Sequence, residues 1–287
     1  MRTLRRVAAT ALLAVALLVA GCAPPPGTDG DLVNEWGAMA EPTGWEPAAG
    51  VCLSWHSDFI RRVNYKPVNC AEAHYYEIVH IGTLAGGGSA PPAKSTQAYR
   101  EAWARCDAKT TELLGGPWRE RRINLALSLP ATEAWRSGAR WVICSAAQVH
   151  RLNAGDTMLI RGSFRGRFGD PELQFGCVQV EPNGNFVPRS CTQPHNAEFA
   201  GLADWPGSWE SLLAESDKDQ GQDHTLCAEV VATFAGAASV RTGTWIWMPK
   251  EADWNLGDRS LRCYLYLEDT QVSDTLQGVG AGGWPVR

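Results

Sequence analysis

Cysteine, histidine and glutamate, side chains that bind metals and carry out acid–base chemistry, occur twice in this sequence at one spacing. In each copy a histidine follows a cysteine by four positions and a glutamate follows by three more: Cys70, His74 and Glu77, then Cys191, His195 and Glu198. Thiolate and imidazole together are typical of zinc sites, whereas imidazole beside a carboxylate is typical of a general base. The surrounding sequence has to decide between these chemistries and a structural role.

The matching between the two copies extends far beyond this signature. A further cysteine, Cys106 or Cys227, follows 36 positions after the first in both copies. A segment Pro-x4-Trp-x2-Gly-x-Arg-x3-Cys then follows: Pro130, Trp135, Gly138, Arg140 and Cys144, then Pro249, Trp254, Gly257, Arg259 and Cys263. So many matched residues at matched spacings predict a tandem duplication.

The N-terminus predicts export and lipidation. A basic start is followed by an apolar run over residues 7–20 that is too short to span a membrane. The run ends in Val19-Ala20-Gly21-Cys22, which resembles the lipobox of bacterial lipoproteins. Residues 1–21 are therefore predicted to be a signal peptide. Cys22 is predicted to carry a diacylglycerol, with acyl chains such as palmitate, on the extracytoplasmic face of the cell membrane.

The composition is that of a globular, acidic protein. Of its 287 residues, 45% are hydrophobic and 20% charged, which suits two domains of ordinary size. Without residues 1–21 the chain has 23 basic and 31 acidic residues, a net charge of −8. This charge argues against nucleic acid as a partner.

The cysteine count favours disulfides. Eight cysteines remain besides Cys22, four in each copy, and an even number in an exported chain is typical of disulfide bonding. Three connectivities are open within each copy. The hypothesis adopted here joins sequence neighbours: Cys52–Cys70, Cys106–Cys144, Cys177–Cys191 and Cys227–Cys263.

The chain divides into a tether and two repeats, for which we expect an α+β fold. Residues 22–49, rich in proline and glycine, form the tether; repeat 1 covers 50–166 and repeat 2 covers 167–287. Each repeat is expected to be a small, mostly antiparallel sheet packed on one disulfide-stapled helix. The predicted helices span 96–114, capped by Ser95, and 223–234, with a short helix at 209–214. The predicted strands span 75–84, 123–129, 140–149, 157–164, 196–203, 242–248 and 260–267.

The order of these motifs resembles the septum formation family of exported and membrane proteins of actinobacteria. The resemblance rests on the Cys-x3-His-x2-Glu signature, the helical cysteine and the Trp-x2-Gly-x-Arg-x3-Cys segment, and it covers both repeats. It implies a role in the cell envelope connected with septation. It transfers no catalytic residue.

We interpret His74, Glu77, His195 and Glu198 as structural. Positions three apart on a strand point to opposite faces, so each histidine could reach its glutamate only across a bend. The rings are expected to bond to backbone in a turn, and the glutamates to pair with Arg140 or Arg259. Disulfide bonding would leave no thiolates for a metal, so neither a metal nor a cofactor is expected. Trp205, Trp209, Trp245 and Trp247 are candidates for an exposed patch.

The sequence thus predicts a lipid-anchored, non-enzymatic scaffold or binding module, with an envelope or cell-division protein as its expected partner. Two alternatives stay open at this point. One is an envelope hydrolase that uses His74 or His195 with a nearby carboxylate. The other is a metal-binding or redox-responsive module.

Overall fold

The computed structural model describes residues 44–150, 156–218, 220–238 and 243–283. The predicted signal peptide, Cys22 and the tether up to residue 43 lie outside the described residues. From Gly44 onward the chain forms one compact unit. None of the helices in the described ranges combines the length and the apolar character needed to cross a membrane.

A six-stranded sheet organises the first half of the unit. Its strands are β1 (Cys52–Leu53), β2 (Phe59–Ile60), β3 (Pro67–Val68), β4 (Tyr76–Thr83), β5 (Ile123–Pro130) and β6 (Trp141–Gln148). They lie in the order β2-β5-β6-β4-β1-β3, antiparallel except for the short parallel pair β2 and β5. β6 is central and buried along its whole length, as its apolar sequence requires.

Helix α1 (Gln97–Leu114) packs against β4, β5 and β6. Its buried face carries Tyr99, Trp103 and Cys106 at helical spacing. The cap is Thr96, whose hydroxyl accepts the Tyr99 N–H at 3.3 Å, so the predicted cap at Ser95 is wrong by one position. A second, short helix, α2 (Thr132–Arg136), connects β5 to β6 and buries Trp135.

A five-stranded, wholly antiparallel sheet organises the second half. Its strands are β7 (Cys177–Val180), β8 (Phe186–Arg189), β9 (Ala197–Asp204), β10 (Gly243–Trp247) and β11 (Ser260–Tyr266). Their order is β10-β11-β9-β7-β8. Helix α3 (Trp209–Ser216) packs on helix α4 (Gln222–Ala235), and α4 packs on β9, β10 and β11. The short α5 (Glu251–Trp254) precedes β11 as α2 precedes β6. A mixed α+β fold with antiparallel sheets is thereby confirmed.

Four disulfides hold these elements together, and they join the pairs named from the sequence. Cys106–Cys144 fastens α1 to β6, and Cys227–Cys263 fastens α4 to β11. Cys52–Cys70 and Cys177–Cys191 each tie the first strand of a sheet to the turn that precedes its histidine.

The predicted strand over 157–164 is wrong. Thr157 and Ile160 make only isolated bridges, to Val149 and His74. The backbone bonds of this segment go to separate elements, and Gly162 has a φ of 86°, so no continuous ladder can form. Phe164, the last residue of this segment, and Leu173, further along the chain, are buried in the hydrophobic core of the first half.

Removing the helix-to-strand disulfide should destabilise the fold more than removing a strand-to-turn disulfide. Cys106→Ala/Cys144→Ala opens a sequence separation of 38 residues and should lower the free energy of unfolding by about 4 kcal/mol in the chain-entropy model. Cys177→Ala/Cys191→Ala opens a separation of 14 and should cost about 3 kcal/mol. Equilibrium urea denaturation measures both; an unchanged midpoint for either variant would contradict this account.

Candidate functional site

The Cys-His-Glu signature of the second half is a buried hydrogen-bonded cluster. The side chains of His195 and Glu198 are 0% and 3% exposed. His195 Nδ1 lies 2.8 Å from the carbonyl oxygen of Gln193, and its Nε2 lies 3.2 Å from Glu198 Oε1. The ring therefore connects a backbone carbonyl to a carboxylate inside the protein.

His195 reaches Glu198 because the chain bends between them. His195 makes an isolated bridge to Val272, Asn196 lies in a bend, and β9 begins only at Ala197. Strand alternation does not apply across that bend. His195 therefore reaches Glu198 across a bend, the one arrangement that the sequence allowed for such a contact.

The two glutamates accept hydrogen bonds from a segment that follows each sheet. Glu77 accepts the Ser163 hydroxyl and the Phe164 N–H, both at 2.6 Å. Glu198 accepts the Thr275 hydroxyl at 2.7 Å and the Leu276 N–H at 2.8 Å. A buried carboxylate needs such donors to offset its lost hydration, and in return it fixes the backbone of the donor segment.

The predicted pairing of these glutamates with Arg140 or Arg259 is wrong, because both arginines stack on tryptophan instead. The Arg140 guanidinium carbon lies 4.0 Å from the Trp135 ring centroid, and Arg259 lies 3.8 Å from Trp254. Nη1 of each arginine donates at 2.7 Å to the carbonyl oxygen of that same tryptophan. The Trp-x2-Gly-x-Arg segment thus forms a self-contained cation–π unit.

One ring nitrogen distinguishes the two histidines. His74 Nδ1 lies 2.9 Å from the Glu72 carbonyl oxygen, but its buried Nε2 has no hydrogen-bond partner among the described residues. In both rings Nδ1 must carry a proton to donate to a carbonyl. A hydrogen bond between His195 Nε2 and Glu198 therefore needs a proton in addition to the one on Nδ1. His74 Nε2 makes no such contact, so the first half needs no additional proton.

A metal would need the same atoms that already have partners. Donor atoms of Cys177, His195 and Glu198 all lie within 4.8 Å of one another. The Cys177 sulfur is bonded to Cys191, and the Glu198 oxygens accept three hydrogen bonds. In the disulfide form this cluster lacks the free thiolate that a zinc ligand requires.

Replacing either histidine should affect stability, and unequally. His195→Ala removes a carbonyl bond and the contact with Glu198, so it should lower the free energy of unfolding by about 3 kcal/mol. His74→Ala loses only the carbonyl bond and should cost about 1 kcal/mol less. Thermal and urea denaturation give both values, and a larger loss for His74→Ala would contradict the assigned bonding.

An open cleft lies between the two halves. It has a volume of about 970 Å³. The first half contributes side chains of α1 and β5 with the loop after β1, and the second half contributes α5 and the turn after it. Tyr99, Trp103 and Trp254 are its aromatic residues, and the charged groups around them have both signs: Lys94, Arg100 and Arg259 against Asp58 and Asp253.

His56 lies at this cleft in a chain of polar groups. Its Nδ1 lies 3.2 Å from Ser128 Oγ, and its Nε2 lies 3.4 Å from Asp58 Oδ1. Burial lowers the pKa of His56 despite the nearby Asp58 carboxylate. Ser128 is 0% exposed, whereas half of Asp58 is open to solvent and paired with Lys94 at 2.9 Å. A hydrolytic triad requires an accessible hydroxyl, so the three residues are arranged to hold His56 rather than to attack a substrate.

An ion network joins the halves beneath the cleft. Arg119 of the first half bonds to Asp107 at 2.7 Å and lies 3.1 Å from Asp258 of the second half. Arg262 donates to the Arg119 carbonyl oxygen at 3.2 Å. Burial raises the pKa of Asp253, and the Asp258 charge raises it further.

Asp253 should destabilise the protein at neutral pH. Its pKa is higher in the folded than in the unfolded state, so the folded carboxylate is penalised above that pKa and the penalty disappears as the pH falls. Asp253→Asn should therefore raise the melting temperature at pH 7, and the gain should shrink towards about pH 4. The exposed Asp217→Asn is the matched control, and a gain independent of pH would contradict the assignment.

The proposed exposed tryptophan patch is not present as predicted. Trp205 is 4% exposed, and its indole N–H donates to Ser211 at 3.1 Å. Trp209 stacks near Trp254, while Trp245 and Trp247 pack around Phe186. The largest exposed apolar side chains in the described ranges lie elsewhere: Trp55, Phe59, Val63, Leu159 and Leu213.

Sequence reasoning missed the cleft because its residues come from four separate stretches of the chain, 56–58, 94–103, 125–127 and 252–259. The one available signal was the lack of repetition: His56 and His80 have no counterpart in the other predicted repeat, and His56 lies at the cleft.

A family model described as septum formation matches residues 49–273. No curated protein and no solved structure matches the chain.

Proposed function

Because the chain belongs to the septum formation family, we propose that it is a non-enzymatic binding module of the cell envelope. In this proposal it is anchored by a lipid on Cys22, and its halves are two copies of one ancestral domain. Its ligand site is the cleft between the halves, which neither copy forms alone. The single observation that carries the proposal is that this cleft draws its walls from both halves.

The chemistry of the cleft favours a short polypeptide segment as ligand. Its volume of about 970 Å³ is near the upper end of the range for ligand sites, roughly 300–1,000 Å³. Aromatic rings line it, and exposed Lys94 and Arg100 lie opposite Asp253 of the second half. A polypeptide offers apolar side chains and charges of both signs to such a surface. We therefore propose a segment of an envelope or division protein as the partner.

The burial of the two signatures favours binding over catalysis. His74 and His195 are both 0% exposed, so a substrate has no direct access to either ring. The hydrolase and metal-binding alternatives would require the clusters to open. A binding role requires only that the clusters stabilise the fold of each half.

Charge reversal at the cleft should abolish partner binding. Lys94→Glu/Arg100→Glu changes two exposed cations and should lower partner recovery at least about tenfold, because like charges then meet across the interface. Recovery is measured by quantitative mass spectrometry after crosslinking and purification of the full chain from cells. The matched control, Lys109→Glu/Arg165→Glu, reverses two exposed cations that do not line the cleft.

Two outcomes would count against the proposal. One is equal recovery of the same partners by both variants. The other is recovery of no envelope or division protein by the unaltered chain. Mass spectrometry of the N-terminal peptide tests the lipid on Cys22 separately.

A further inference from the structure

The segment between β1 and β3, which includes the two-residue strand β2 and a 3-10 turn, exposes an unusual number of apolar side chains. Trp55, Phe59 and Val63 are 37%, 52% and 75% exposed. They are three of the five large apolar side chains most exposed in the described ranges. We call residues 54–66 the basic loop, because these apolar groups are interleaved with cations.

The basic loop is cationic within an acidic chain. It carries Arg61, Arg62 and Lys66, all exposed, while the net charge of the chain is −5. Its one acidic residue, Asp58, is paired with Lys94 at 2.9 Å. Arg61 also lies 3.4 Å from Glu133, but both side chains are more than 60% exposed, so this pair is weak and readily exchanged.

The tether enters the compact unit beside this loop. The Trp45 ring packs on Tyr65 with centroids 4.9 Å apart. The Ala48 N–H donates to the Tyr65 hydroxyl at 3.0 Å. Tyr65 directly follows the 3-10 turn Arg62–Asn64 that carries Val63. The chain that leads to Cys22 therefore meets the folded unit at the basic loop.

We propose that the basic loop docks on a membrane surface that contains anionic lipids. Phe59 and Val63 enter the headgroup region, while Arg61, Arg62 and Lys66 contact lipid phosphates. This inference deepens the proposed anchoring at Cys22 and rests on it. Cys22 precedes Gly44 by 22 positions, so the lipid attachment point can lie no further than about 80 Å from the start of the fold, and the loop stays within reach of the bilayer.

The combination of groups fits a bilayer better than water. Each basic residue near an anionic membrane increases partitioning about fivefold, and exposed aromatic and aliphatic side chains add to this at the interface. Docking would also orient the cleft, because His56 and Asp58 belong to the same loop and line it. The ligand site would then lie next to the headgroups rather than at an arbitrary distance from them.

The test is hydrogen–deuterium exchange of the full chain on vesicles. Exchange in residues 54–66 should be several-fold slower on vesicles of phosphatidylcholine with phosphatidylglycerol than on phosphatidylcholine alone, and high salt should remove the difference. Arg61→Gln/Arg62→Gln/Lys66→Gln should abolish the slowing, and Phe59→Ser/Val63→Ser should reduce it. Leu159→Ser/Leu213→Ser is the matched control, since it removes two exposed apolar side chains elsewhere and should leave the slowing unchanged.

The contrary results are distinct from a failure of the proposed function. Equal exchange on the two vesicle types would overturn membrane docking. Membrane docking would also be overturned if exchange in the loop slowed only when another protein is crosslinked to it, since the loop would then be a protein-binding surface. Exchange is read at the loop itself, so it reports on docking whether or not mass spectrometry finds a lipid on Cys22 and whether or not the cleft variants lose a partner.

Discussion

The buried carboxylates of Glu77 and Glu198 are the constraint on which both halves depend. An ionised carboxylate taken out of water has to be surrounded by hydrogen-bond donors. Both glutamates obtain a hydroxyl and a backbone N–H from a segment that lies 77 to 87 positions further along the chain. The starts of β4 and β9 are thereby fixed to the segments at 163–164 and 275–276. The nearby disulfide and histidine hold the same turn from its other side.

The Trp-Gly-Arg units act at the opposite end of each sheet, and their surroundings differ between the halves. In the first half the Trp135 indole N–H donates at 3.2 Å to the carbonyl oxygen of Gly88, so the loop that contains Gly86, Gly87 and Gly88 covers the unit. In the second half Trp254 and Arg259 line the cleft against the first half. One local structure thus serves as a core element in the first half and as a wall of the cleft in the second.

The basic loop contributes to the cleft and also contacts Trp45, at the start of the described residues. Of its residues, His56 and Asp58 line the cleft, and Tyr65 packs on Trp45. Binding at the cleft and docking at a membrane would therefore share one short segment of chain. This arrangement suits a protein that presents an envelope partner close to a bilayer surface.

The amino-acid sequence was enough to predict the features that depend on residue type and local spacing. The disulfide-forming cysteines, helix α1 and the main strands were all readable, because side-chain periodicity and cysteine counts are properties of short stretches. The folded structure was needed to show that His195 meets Glu198 across a bend, that the glutamates bond to Ser163 and Thr275 rather than to arginine, and that Ser128 meets His56 across 72 positions. The identical signatures also gave no hint that the halves would form one cleft between them. Such contacts follow from how two whole sheets pack, and packing is set by the summed shape and burial of distant side chains rather than by any local pattern.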